Sequence, residues 1–163
     1  MNNFARLCVI AVAASVPLAQ AQAVRSEKNM SLELANQIAA ASVAACQANG
    51  FAVAATVVDR AGGVRAVQRA DNAGPHTLAA SEQKAFTSAS AKTNTLAMME
   101  AAQKNPGAAN LVNIPGFLLL GGGVPVKVGN DVIGAVGVGG APGGHLDEQC
   151  AVAALDKIKD QLK

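Results

Sequence analysis

VIGAVGVGGAPGGHLDEQC, running from Val132 to Cys150, joins a strand-like half to a helix-like half through a string of glycines. The first half is built of β-branched and small residues, as a buried strand is. The residues that follow, AVAALDKIKDQLK, carry a helical stripe of Ala151, Ala154, Leu155, Ile158 and Leu162. A glycine-rich corner between strand and helix is where many proteins hold a phosphate. Here both nucleotide patterns fail. A G-x-G-x-x-G count begun at Gly137 ends on Pro142, and Gly143-Gly144 leads into His145-Leu146 where a phosphate loop needs Lys and Ser or Thr. Asp147 and Glu148 already place two negative charges at the helix start. The glycines read instead as room for close chain approach and unusual φ angles.

Working outward, Gly129–Asp131 is a hairpin signal between VPVKV and VIGAVGVG. FLLL, at 117–120, lies before GGG and reads as a third short strand of this group. Further upstream FAVAATVVD and VRAVQRAD flank the tight turn RAGG and form a second hairpin. The helices are SLELANQIAAASVAACQANG, with Ser31 as N-cap and Gly50 as stop, HTLAASEQKAFTSASAKT, and TLAMMEAAQKN, stopped at Pro106-Gly107. AANLVNIP reads as irregular, and the last helix as about 147–162. On the first helix Leu32, Leu34, Ala35, Ile38, Ala39, Ser42, Ala45 and Cys46 share the inward side. On the second, Leu78, Glu82, Ala85, Phe86 and Ala89 form the more apolar side, and Thr77, Ser81, Lys84, Ser88 and Ala91 the other. The order predicts an α+β fold with one antiparallel sheet of five strands, the terminal helices side by side on one face and the middle helices on the other.

The amino terminus reads as a cleaved secretory signal. MNNFAR supplies a basic residue, LCVIAVAASVPLA an apolar run too short to span a membrane, and AQA at Ala21–Ala23 a small-x-small site. An uncleaved anchor is the rival, weakened by Pro17 within the short run. Residues 1–23 are thus the signal, and 24–163 one domain with no further membrane span. Cys46 and Cys150 remain, and an even pair in an oxidising compartment reads as a disulfide, with two separate buried thiols as the alternative. The whole chain carries 13 Lys and Arg against 11 Asp and Glu with no basic block, so nucleic acid is not an expected partner. Trp and Tyr are absent, which removes the usual stacking platforms.

Of the chemistry-bearing residues, His76 stands in a loop beside Arg69 and Asp71, where ligand contact competes with plain exposure. His145 reads as a capping or exposed residue. No HxxxH, HExxH or CxxC spacing offers a zinc site, and CxxCH, the covalent haem attachment, is absent. The serines lack a nucleophile elbow. Glu82, on the apolar side of its helix, needs a partner such as Arg69 or Lys84, or a ligand. Gly121–Gly123 is either a hairpin or bulge, or a backbone floor on which a flat ligand lies close.

TVVDRAGGVRAVQRADNAGPHT, KAFTSAS and GGGVPVKVGNDVIGAVGVGGAPGGHLDEQCA, in this succession, resemble the GlcG/HbpS-like haem-binding family from about Ser31 to Lys159. The motif positions are Asp59, Arg69, Asp71, Lys84, Thr87, Thr95, Gly122, Gly123, Pro125, Gly134, Gly137 and Asp147. The chain reads GVGG at Gly137–Gly140 where many members read GVSG, so a hydroxyl is missing at Gly139.

The resemblance implies a three-layer α/β/α, profilin-like sandwich and homo-oligomers, often octamers. It also implies a small-molecule ligand, haem or a related flat cofactor, held non-covalently outside the cytoplasm, in the periplasm or beyond. On that reading Arg69 and Lys84 meet the propionates, His76 or Thr95 approaches the iron, and Gly122 and Gly123 form the floor. Met98, Met99 and Phe117 supply apolar wall. Two other readings stand beside it: a haem-degrading enzyme, and an accessory or scaffold protein of an extracytoplasmic redox sensor.

Overall fold

A computed structural model describes residues 24–163. The expected signal segment and its cleavage site lie outside the described residues. The elements run α1 (Leu32–Gln47), β1 (Ala54–Asp59), β2 (Val64–Arg69), α2 (His76–Ala91), α3 (Thr95–Lys104), a short α4 (Pro106–Ala109), a 3-10 turn (Asn110–Asn113), β3 (Gly123–Val128), β4 (Asp131–Gly139) and α5 (Gly144–Lys157). A 3-10 turn at Lys159–Gln161 follows. The expected N-cap is in place: the Ser31 hydroxyl accepts a hydrogen bond from the Leu34 amide at 3.2 Å. The expected hairpin turn is held by Asp59, whose Oδ1 accepts from the amides of Ala61 and Gly63, each at 3.0 Å.

The sheet has four antiparallel strands in the order β2-β1-β4-β3, not five. The missing strand is FLLL, and its backbone shows why. Leu118 N donates to the Thr87 hydroxyl, Leu120 O accepts from the Thr95 hydroxyl, and Leu120 N turns back to Leu118 O. Side chains of α2 and α3 thus take the groups a neighbouring strand would need. The segment expected to be irregular, AANLVNIP, contains the end of α4 and the 3-10 turn.

The layering is as expected for the terminal helices. α1 and α5 pack side by side over one face, where Ile38, Val43, Cys46, Val57, Val136 and Val138 join one core. Cys46 and Cys150 are disulfide-bonded across these two helices, their Cα atoms 5.3 Å apart. α2 lies on the other face over Val58 and Ala135. α3 sits by β3, touching α2 on one side and α5 on the other.

α2 buries the side the sequence made less apolar: Thr77, Ser81, Lys84, Thr87 and Ser88 go in with Ala85 and Ala89, while Glu82 is exposed. Two features make this favourable. The sheet beneath is glycine-lined, and a β-carbon at Gly137 would collide with the backbone of Ser81 and Ala85, so the helix rides unusually close. Among the described residues every buried hydroxyl also finds a partner, for example Ser81 with Thr56 of β1 at 2.7 Å.

Candidate functional site

The site begins with a lysine that the fold seals. Lys84, halfway along α2, is 1 % exposed. Its ammonium donates to the Val138 carbonyl of β4 at 2.9 Å and to Asp147 Oδ2 of α5 at 2.7 Å. The other carboxylate oxygen, Asp147 Oδ1, accepts from the Ala141 amide at 2.9 Å and so closes the glycine corner. The anion at this helix start is therefore the chain's own carboxylate. Burial raises the Asp147 pKa above its ordinary value, against the opposing pull of the Lys84 charge and of its hydrogen bonds.

Gly122 and Gly123 make the space for this pair. Gly122 has φ +123°, and a β-carbon there would stand 2.8 Å from Asp147 Cβ and 3.0 Å from Lys84 Nζ. A β-carbon on Gly123 would strike the Lys84 carbonyl and, at 2.6 Å, the methyl of Thr95. The fully buried Thr95 hydroxyl donates to Leu120 O at 2.7 Å and accepts from Gly123 N at 2.8 Å. Four of the six residues singled out for a cofactor, Lys84, Thr95, Gly122 and Gly123, thus meet in one buried cluster around Asp147.

Arg69 and His76 stand apart from it. Arg69 ends β2, at the far edge of the sheet from β3, and its guanidinium donates to the Ala73 carbonyl through Nε and Nη2. His76 opens α2 on the surface with its ring against Gly74. It is eight residues from Lys84, roughly 12 Å along a helix axis.

Beside the cluster, α3 and α5 flank an open groove of about 340 Å³ lined by Leu96, His145, Glu148, Gln149, Val152 and Asp156. Glu148 is its hinge. Asn94 makes no side-chain cap for its own helix. Glu148 supplies one from α5, accepting from Asn94 Nδ2 at 2.8 Å and from Leu96 N at 3.3 Å. Sequence reasoning misses Leu96, Glu148 and His145 as groove residues. The one local signal is the proximity of His145 and Glu148 to Asp147, because the groove forms only when two helices far apart in sequence meet. A second hollow, between α1 and α5 at Ala40, Ala44 and Lys157, lies away from the cluster, as does a smaller one at Phe86. Among the described residues no three His, Cys, Asp or Glu side chains gather as a metal site.

A family model described as "Haem degrading protein HbpS-like" matches residues 30–156, a span holding every residue of the cluster and groove and both disulfide cysteines. The chain belongs to the HbpS-like family. Among HbpS-like relatives, the protein GlcG of Escherichia coli K12 is 37% identical over 109 residues, covering 67% of this chain and 80% of GlcG. The crystal structure of a double mutant of Streptomyces reticuli HbpS superposes with a TM-score of 0.77 at 36% identity, covering 89% of this chain and 98% of that one. A PduOC:heme complex, at 23% identity and a TM-score of 0.66, covers 74% of this chain and 88% of its own and shares the fold.

Proposed function

We propose that this HbpS-like protein is an exported homo-oligomer that binds haem, or a related flat tetrapyrrole, non-covalently in the groove between α3 and α5. The observation that carries this reading is an exposed imidazole, His145, lining a groove beside the hydrogen-bonded Lys84–Asp147–Thr95 cluster. The family's description, and the haem in the PduOC complex that shares this fold, support the choice of ligand.

The donor set suits the group. His145 offers a nitrogen for the iron, and Leu96 and Val152 offer apolar wall for the ring. Bound haem would bring redox chemistry and open coordination positions to the groove. No Lys or Arg lines the groove, and Glu148 and Asp156 are acidic, so a haem held there would find no cation within the groove for its propionates. The groove's volume lies near the low end of small-molecule sites, about 300–1,000 Å³, so part of the ring is left for solvent or a second copy to cover. In this reading Thr95 belongs to the cluster beside the groove, its hydroxyl already engaged on both sides. His76 and Arg69 are the second candidate contacts, on a surface that a neighbouring copy can bring to the ligand. The Cys46–Cys150 bond suits an oxidising compartment.

Haemin titration of the purified protein tests the reading. Wild type should give a Soret band, and His145→Ala should weaken binding at least tenfold while His76→Ala leaves it within twofold. The reverse pattern moves the site to His76, and no Soret band in wild type rejects haem binding. Mass in solution, measured with and without haemin, tests the oligomer. The family description favours one further reading, a haem-degrading activity. It requires loss of the Soret band with product formed under reductant in the presence of catalase, and a band that persists argues for binding alone.

A further inference from the structure

We infer that the buried Lys84–Asp147 pair is the positioning device of the α3–α5 groove, fixing where His145 and Glu148 stand and, through Glu148, where α3 begins. What this says about haem rests on the groove being the binding site. The positioning itself is legible in the ligand-free protein.

Three observations carry the inference. First, the pair joins the two outer layers directly: Lys84 belongs to α2 on one face of the sheet, Asp147 to α5 on the other. The link is possible only where Gly122 leaves the space open. Second, the Lys84 ammonium is fixed from β4 as well, by the Val138 carbonyl, and Asp147 is fixed from the corner, by the Ala141 amide. The first turn of α5 is therefore held against rotation and sliding. Third, that turn carries one polar residue of the groove, His145, and leads directly into another, Glu148. His145 precedes Asp147 by two positions, which places it on the opposite side of the helix, and Glu148 follows by one and caps α3. A small rotation of the turn would move the imidazole and the cap together.

A buried ion pair is a poor source of net stability, because apolar residues of similar size usually do as well. What it supplies is direction, and here the direction is toward the groove.

The test uses Lys84→Met with Asp147→Leu as an apolar replacement of the whole pair, and Asp147→Asn as a near-isosteric variant that keeps the shape and the bond to Ala141. A His76→Ala background leaves His145 as the single imidazole. Two readouts need no ligand: amide hydrogen exchange at Leu96, and the rate at which diethyl pyrocarbonate modifies His145. In folded variants, judged by circular dichroism, both rates should change tenfold or more, and haemin should bind tenfold more weakly with a shifted Soret maximum. Unchanged exchange and modification in either folded variant would overturn the inference and leave the pair a packing element. Should wild type show no Soret band, the haem reading falls, while the two ligand-free rates still decide the positioning role.

Discussion

Lys84 illustrates how much one side chain can constrain. Its nitrogen lies within 2.9 Å of acceptors on two other elements, and nothing but protein surrounds it. Removing one partner strands a buried charge, so Lys84→Met or Asp147→Asn alone should cost about 3–5 kcal/mol in urea unfolding, and the double apolar replacement should recover most of it. The pH dependence has a definite sign. Burial raises the Asp147 pKa in the folded state above 3.8, so the native protein holds this proton more tightly than the unfolded chain. The contribution of Asp147 to stability is then full below pH 3.8 and is lost as pH rises through the raised value. Wild-type stability minus that of Asp147→Asn should fall with rising pH across this window, and a rise would mean that Lys84 outweighs burial. The glycines separate in the same way. Gly129 has φ +61°, and a β-carbon there would meet nothing within 4 Å, so Gly129→Ala should cost only the left-handed strain, about 1–2 kcal/mol. Gly123→Ala must displace the Lys84 backbone and should cost well beyond that in the same assay.

The elements show what the sequence makes legible and what it does not. The α1 N-cap, both hairpins and the shared face of α1 and α5 follow from local chemistry: a serine before an apolar stripe, and turn residues between β-branched runs. α2 defeats the same reasoning, since its inward side is chosen by glycines in β4 more than 40 residues away in sequence. FLLL fails as a strand for a similar reason, its partners being hydroxyls on two helices. The site divides along this line too. Motif resemblance points to Lys84, Thr95, Gly122 and Gly123, whereas the groove residues become visible only when α3 meets α5. At this scale the disulfide offers a direct measurement. Cys46 and Cys150 are separated by 104 positions, and replacing both with serine should cost about 2–5 kcal/mol, read as a lowered urea midpoint. An unchanged midpoint would mean that α1 and α5 are held by packing alone.

The molecule as a whole is asymmetric in how it covers its sheet. Two helices cover one face and α2 covers the other, with the 110–120 segment tied to α2 and α3 through Thr87 and Thr95. That segment leaves Val112 58%, Ile114 42% and Leu120 40% exposed, an apolar strip of the kind associated with protein contact. If the proposed assembly is sealed here, Val112→Glu with Ile114→Glu should lower the mass measured by light scattering while the far-ultraviolet spectrum is retained. An unchanged mass would place the subunit contact elsewhere. The bond between the outer helices has a further consequence, in the order of the chain's manufacture. Cys46 is synthesised 104 residues ahead of its partner, an interval of roughly 5–20 s at ordinary translation rates. Until Cys150 follows, Cys46 lacks its native partner, so an oxidant arriving early can cross-link it only to a foreign thiol.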